Sequence, residues 1–353
     1  MTVSTASWTA CVHPDPGVVA AWERLADEVR AEPFVRPGWI VAWSEAWRST
    51  LRLAVVRRDH RLLAVVPIVG RGGRVATPTG WHTPWHAAAA VDDEARRTAW
   101  DLVLGADAVA ADHLLADGAD AAVVRSILER RGHTVGIRDR QRPPFVELGG
   151  GWDAYEAAMT SKRRSDLRRR MRRLAETGEV DLDVRDGQGE DLDALLDEGF
   201  AVEASGWKGR AGTAVRTEPA ADAFYRSVAR WAADRGWLRL AYLRVDGRAV
   251  AFDFSLETDT RHYLLKTGFD ETLRSHAPGA LLRREMIRRS FDAGLETYEF
   301  TGDTAPWKQE WATGERQTVL IEGYAPTVGG RLRWGIDRGR RAARGALRRV
   351  RGR

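Results

Sequence analysis

The stretches LRLAVVRRDHRLLA at 51–64 and LRLAYLRVDGRAVA at 238–251 share eight of fourteen positions at a constant offset of 187 residues. Each reads as strand, turn, strand. Asp246-Gly247 is a strong two-residue hairpin signal, and Asp59-His60 occupies the same place in the first copy. Both hairpins follow a helical segment rich in Trp and Ala. A repeat at this separation predicts two domains of one fold, joined near Gly149-Gly150-Gly151. Length agrees, since 353 residues exceed one ordinary compact domain. The expected division is a first domain over 1–150, a second over 151–328 and a tail over 329–353.

Around the first hairpin, Trp39, Trp43 and Trp47 recur on one helical face with Trp22 on an earlier helix, a stripe that reads as core. Strands are expected at 51–57, 62–69 and 73–78, and helices near 93–104 and 119–131. Around the second hairpin, Leu167, Met171, Leu174 and Ala175 give 162–177 an apolar helical stripe ended by Gly178. A strand at 180–185, helices at 190–205 and 219–235, a third strand at 261–267, a helix at 280–292 and a strand at 295–300 complete the unit. Helices around mostly antiparallel strands predict an α+β layer fold.

Hydrophobic residues make up 44% and charged residues 30% of the chain, which excludes a fully disordered protein. No apolar run approaches the roughly 20 residues of a bilayer crossing. The N-terminal MTVSTASWTACVHPDPG lacks a secretory pattern, and the single Cys11 supports neither an internal disulfide nor a thiolate metal site. These features predict a soluble, cytoplasmic protein. The net charge is +5, but residues 331–353 alone carry ten Arg against Asp337, which leaves the preceding 330 residues at −4. The body therefore has no global nucleic-acid footprint. The tail, with Trp334, Ile336, Leu347 and Val350 among its arginines, reads either as an amphipathic anchor for an anionic membrane surface, peripheral at the inner membrane, or as disordered. Of the 55 basic residues only Lys162, Lys208, Lys266 and Lys308 are lysines. Lys is a compact point charge and Arg a planar fork, so a site that needs the former does not drift to the latter.

Pro278-Gly279 stands just before the helix that includes Ala280 and Leu281. A helix N-terminus offers unpaired N–H groups and partial positive charge to a phosphate, and Gly279 permits close approach. The same residues also suit an ordinary turn. No GxxxxGK loop or complete GxGxxG is present, which disfavours P-loop and dinucleotide-binding Rossmann enzymes. In Trp81-His82-Thr83-Pro84-Trp85-His86, Pro84 argues against the helix that an HxxxH zinc site needs, so no metal is expected. Trp81 and Trp85 line either a groove for a sugar or aromatic acceptor or ordinary packing. The run 162–173, eight basic residues with Asp166, is either a solvated face or a polyanion contact.

EASGWKGRAGTA (203–214), the hairpin LRLAYLRVDGRAVAFDFSL (238–256), YLLKTGFDE (263–271), APGALL (277–282) and GDTAPWKQEW (302–311), in this order, resemble the second half of the CelD/BcsL-type acyltransferases. These are GNAT-fold proteins related to the Fem-type aminoacyltransferases. PFVRPGWIVAW (33–43) and SKRRSDLRRRMRRLAETGEV (161–180) extend the likeness to about residue 326. The resemblance implies tandem GNAT domains, each a mixed, mostly antiparallel sheet flanked by helices. It implies acetyl-CoA or another acyl-CoA as donor, with Pro278, Gly279, Ala280 and Leu281 near its phosphates, and an amine or hydroxyl of a cell-envelope or polysaccharide precursor as acceptor. Acyl transfer needs a base and a donor to the developing oxyanion. Asp253, on the face opposite Phe252 and Phe254, is then the base or a solvated carboxylate. Glu203, Trp207 and Lys208 are acceptor-side contacts or hold a buried ion pair. Lys308 meets donor phosphate or developing negative charge, with Asp303, Trp311 and His276 as lesser candidates. Two alternatives remain open, a Fem-type transferase fed by aminoacyl-tRNA bound through 162–173, and a non-catalytic GNAT-like adaptor.

Overall fold

A computed structural model describes residues 4–10, 14–206, 209–210 and 212–351. Cys11, Trp207 and Lys208 lie outside the described residues.

The chain forms two compact units, one of residues 1–141 with 317–353, the other of residues 142–316. This differs from the expected division at 150 and 328, and the reason is an exchange of strands. The first sheet has the order β1 (Ser4–Ala10), β2 (Leu51–Arg58), β3 (Arg61–Arg71), β4 (Arg74–Ala76), β6 (Ala108–Leu115), β15 (Thr318–Tyr324), β7 (Thr134–Asp139), with the short β5 (Ala89–Ala90) against β3. The second runs β9 (Val180–Arg185), β10 (Leu238–Val245), β11 (Arg248–Glu257), β12 (Arg261–Phe269), β13 (Thr297–Glu299), β8 (Pro144–Glu147), β14 (Gly314–Glu315). Position by position the two orders agree. In each, the fourth and fifth strands are parallel and the remaining neighbours antiparallel. The sixth strand of the first sheet, β15, follows the whole second unit in sequence, and the sixth of the second sheet, β8, precedes that unit's helices.

The repeated hairpin survives in detail. β2 pairs with β3 and β10 with β11; register shifts fall at Val56/Arg57 and at Leu243/Arg244, again 187 residues apart. Asp59 and Asp246 both take left-handed backbone, φ 55° and 47°, as a tight hairpin turn requires.

Helices α1 (Pro16–Glu28), α2 (Pro37–Ala46), α3 (Asp93–Val103) and α4 (Ala119–Arg130) belong to the first unit. Of the Trp stripe, Trp22, Trp39 and Trp43 are buried there and Trp47 is half-buried. In the second unit, α5 (Trp152–Ala158) and α6 (Ser161–Ala175) precede β9, and α7 (Leu192–Ala204) and α8 (Pro219–Asp234) precede β10. α9 (Pro278–Asp292) follows β12, and the single turn α10 (Pro306–Gln309) follows β13. Side-chain oxygens fix several starts, Thr160 accepting from the Arg163 amide and Asp191 from the Ala194 amide, so the orphan amides of those first turns are met.

The centre of the second sheet, β10 and β11, is covered on both faces. Phe252 and Phe254 pack against Phe200 of α7, and Phe254 also against Tyr225 of α8. On the other face Ala241, Leu243 and Ala251 share a core with Leu282, Met286 and Ile287 of α9. Strands β1, β6, β7, β8 and β15 escape the sequence reading, as does the helix that the tail forms, α11 (Val328–Arg351).

Candidate active site

β12 and β13 run side by side for only three pairs, Arg261–Thr297, His262–Tyr298 and Tyr263–Glu299, although β12 continues to Phe269. Among the described residues no strand borders β12 on that side beyond Tyr263. A β-bulge marks the parting: Phe254 pairs with Lys266 and Ser255 with Leu264, leaving Leu265 as the extra residue. A bulge re-aims the backbone, and bulges gather next to active sites. Beyond Tyr263 the two segments part as a wedge along β12, whose residues 265–269 are half-buried.

Past β13 the chain swings away through Thr301 and Gly302, both left-handed, φ 44° and 58°. A β-branched residue in this region is strained, and such strain persists only where surrounding contacts enforce it. Two contacts do so. The Thr301 hydroxyl donates to the Leu264 carbonyl at the narrow end of the wedge. Lys308 Nζ donates to the carbonyls of Thr301 at 2.5 Å and Asp303 at 2.7 Å. At the other end of β12 lies the start of α9, where a Cβ on Gly279 would stand 3.2 Å from the Phe269 ring.

Two polar clusters flank the free part of β12. On the α9 side, Arg283 donates to both carboxylate oxygens of Asp253, at 2.5 and 2.8 Å, to the Thr267 hydroxyl at 3.0 Å and to the Tyr298 phenol. Arg283 and Asp253 are both buried. Burial works against the guanidinium's charge, but the Asp253 carboxylate more than offsets it and the pKa of Arg283 is raised. Next along the sheet, His262 lies stacked on Tyr298 at 4.6 Å with Nδ1 3.3 Å from Glu257, which also accepts from Arg239 and Arg289. Burial lowers the pKa of His262 despite Glu257. On the α7 side, Glu203 is 1% exposed and accepts from the Val215 amide at 2.9 Å. Lys266 Nζ stands 5.0 Å from the centre of the Tyr225 ring. Burial, and then the charge of Glu203, push the Tyr225 phenol well up. The backbone of α7 touches β12 here, since a Cβ on Gly268 would lie 2.4 Å from Cα of Glu203.

The residues expected from sequence thus separate. Glu203 is buried with its backbone against Gly268 of β12, and Lys308 holds the turn after β13. Asp253 is neither a solvated carboxylate nor one with a free oxygen, because Arg283 occupies both. Of the α9 residues, Pro278 and Leu281 are buried in the core while Gly279 and Ala280 remain half-exposed. Trp311 is buried beneath the Arg163 guanidinium, 4.2 Å from its ring. Asp303 accepts from the Arg142 amide at 3.1 Å, and His276 Nδ1 lies 3.2 Å from the Ser275 hydroxyl. Arg283, Thr267, Tyr298, Thr301 and Tyr225 join them without a signal in the sequence. In a chain whose basic residues are nearly all arginines, nothing in LLRREM marks one as buried.

In the first unit the matching place is filled. β4 pairs with β6 over Arg74–Ala76 and Ala108–Ala110, and β6 runs on to Leu115. Beside that extension Thr77 Oγ1 donates to the Asp112 carbonyl at 3.1 Å and accepts from its amide at 2.9 Å. The His86 amide donates to the His113 carbonyl at 2.8 Å. Trp85 is buried edge-on against Phe34 at 5.1 Å, whereas Trp81 is 80% exposed. The two tryptophans therefore form no common platform: Trp85 is core, because the segment 77–88 packs into the sheet of its own unit. His82 stacks on Trp47 and not with His86. Among the described residues no group of three or more His, Cys, Asp or Glu is placed to hold a metal ion, and no helix is long and apolar enough to cross a membrane.

No curated protein matches the chain. Over most of its length the fold is similar to that of FemX, at 12% identity and a TM-score of 0.56, covering 88% of this chain and 96% of that one. It is similar to L-PGS from Bacillus licheniformis at 12% identity and 0.55, covering 88% and 91%. A conserved protein of Bacteroides thetaiotaomicron gives 12% identity and 0.57, covering 87% and 97%. Residues 161–309, which include every residue of the wedge, match the family model of the acetyltransferase (GNAT) domain. The α+β class expected from sequence holds in both units, and the first repeats the strand order of the second, the unit that holds the match to the acetyltransferase (GNAT) domain.

Proposed function

We propose that the protein is an acyltransferase with one active site, the wedge beside β12, taking an acyl group from acyl-CoA and delivering it to an amine or hydroxyl of a cell-envelope or polysaccharide precursor. The observation that carries this reading is the parting of β12 from β13 at a bulge, inside the segment that matches the GNAT domain. The thioester lies along β12 beyond its pairing with β13, where backbone amides of the strand stabilise the oxyanion as the acceptor attacks the carbonyl carbon. The start of α9 receives donor phosphate through Gly279 and Ala280. Glu203 takes the acceptor's proton as the carbon–nitrogen or carbon–oxygen bond forms, and the thiolate of CoA departs with the electrons of the carbon–sulfur bond. Asp253 does not suit this role, because Arg283 engages both its oxygens. Lys308 positions the turn that forms the other wall.

A thermal-shift screen against CoA, acetyl-CoA, a long-chain acyl-CoA and bulk tRNA tests the donor. A ligand at 100 times its dissociation constant stabilises by about 2.7 kcal/mol. Stabilisation by a CoA species, lost in Gly279→Glu, is the expected result; stabilisation by tRNA alone overturns it.

That second outcome would favour transfer from aminoacyl-tRNA. Its support is the basic surface of α6, where Lys162, Arg168, Arg172 and Arg173 are exposed, together with the whole-chain likeness to FemX. It requires steep salt dependence of tRNA binding and its loss on charge reversal at Arg168 and Arg172.

A further inference from the structure

α11, at the end of the chain, docks by its polar side. The Thr327 hydroxyl accepts from the Gly330 amide and donates to Asp107 Oδ1 at 2.7 Å, fixing the start of the helix. One turn on, Arg333 donates to the Gly72 carbonyl. Asp337 then accepts from Arg74 at 3.0 Å and from the Tyr324 phenol at 3.0 Å. The positions 330, 333 and 337 share one helical face, so that face is committed to the first unit.

The opposite stripe is apolar and faces water. Val328, Leu332 and Ile336, spaced four apart, are 86%, 64% and 46% exposed. A helix on the surface of a globular unit ordinarily turns such a stripe inward. Here the orientation is reversed by the ion pair and hydrogen bond on Asp337. The sequence keeps the apolar spacing further on, with Ala343, Leu347 and Val350. Arg331, Arg338 and Arg340 are exposed, and Arg338 stands 5.1 Å from the centre of the Trp334 ring. Nine of the helix's 24 residues are Arg, against one acid, Asp337, which is occupied.

We propose that α11 is an interfacial helix that seats this enzyme on an anionic lipid bilayer. Val328, Leu332 and Ile336 enter the boundary between headgroups and acyl chains, and the flanking arginines meet lipid phosphates. The physical case is the combination of the two features. An apolar stripe alone fits a second protein as well as a membrane; a stripe bordered almost exclusively by cations fits a surface that is apolar beneath and negative above. The five glycines in α11, at 329, 330, 335, 339 and 345, weaken it as an isolated helix, so burial of its apolar side also secures its helicity. This inference does not depend on the donor, and it survives the failure of the acyl-CoA reading.

The test is cosedimentation of the full-length protein with vesicles of phosphatidylglycerol in phosphatidylcholine and with vesicles of phosphatidylcholine alone. The wild type should pellet with the first and remain in solution with the second, and high salt should weaken binding. Leu332→Glu with Ile336→Glu should lower partitioning at least about tenfold. Arg331→Glu with Arg338→Glu should do likewise by removing charge. Both pairs are exposed, so an unchanged melting temperature verifies that the fold persists. Equal binding by wild type and L332E/I336E would overturn insertion of the stripe, and no binding to anionic vesicles would overturn the proposal outright. A concentration-dependent dimer that L332E/I336E dissociates, without vesicle binding, would assign the stripe to a second copy of the chain instead.

Discussion

Arg283 grips both carboxylate oxygens of Asp253, at 2.5 and 2.8 Å, between α9 and β11, and neither side chain reaches water. Removing one member leaves the other buried and uncompensated, which costs about 3–5 kcal/mol. Asp253→Ala should lose that much in urea unfolding, whereas Asp253→Leu with Arg283→Met should lose much less, because an apolar pair of similar volume needs no compensation. A double variant as unstable as the two singles combined would show that the residues are not coupled. Glu203→Gln provides the contrast, with stability nearly retained and turnover lowered by at least about a hundredfold.

Lys308 secures the strained turn after β13 by donating to the carbonyls of Thr301 and Asp303. Lys308→Met should therefore accelerate hydrogen exchange of the amides from 301 to 305 in the free protein, before any donor is added. Turnover should fall with it. A lysine whose only role is to meet donor phosphate would leave that exchange unchanged, and such a result would remove Lys308 from its positioning role.

Two buried histidines set a pH dependence. Burial, and then the nearby His113, hold the pKa of His86 down to about 3, and burial lowers that of His262. Unfolded histidine titrates near 6.5, so between 6.5 and the folded values the unfolded chain binds more protons and stability falls as pH falls. Each histidine contributes up to about 1.4 kcal/mol per pH unit in that window. His86→Gln should flatten the decline between pH 6 and pH 4 by about that slope; parallel curves for wild type and variant would contradict the burial of a neutral His86.

Ala277 enters α9 with φ 49° and ψ 53°. This left-handed backbone costs an alanine about 1–2 kcal/mol and a glycine almost nothing. Ala277→Gly should raise stability by about 1 kcal/mol, measured by urea unfolding. A loss instead would mean that the backbone at 277 is not left-handed in solution.

Much of this architecture is readable from residues. The hairpin copies at 51–64 and 238–251 carry their turns and their bulges at matching positions, because a two-residue reversal and alternating apolar residues are local requirements. The helices expected at 162–177, 219–235 and 280–292 form over 161–175, 219–234 and 278–292, because apolar spacing and end signals are local. Lys308 and Glu203 stand out in the sequence, but the burial of Glu203 and the hold of Lys308 on the turn after β13 do not.

Other features depend on what meets in space. Strand β15 completes the first sheet and β8 the second, and a strand's own residues do not say which sheet supplies its neighbours. The parting of β12 from β13 is a matter of register between segments 36 residues apart, so the wedge has no signature in either strand. Asp253 looks like a base until Arg283, thirty residues away, takes both its oxygens. The apolar spacing of α11 is written in the sequence, but its outward orientation is fixed by Asp337 meeting Arg74 and Tyr324. Periodicity and turn chemistry are local and the chain alone determines them; strand order, burial of charge and the exposure of a helix face come from long-range contacts that only the folded molecule decides.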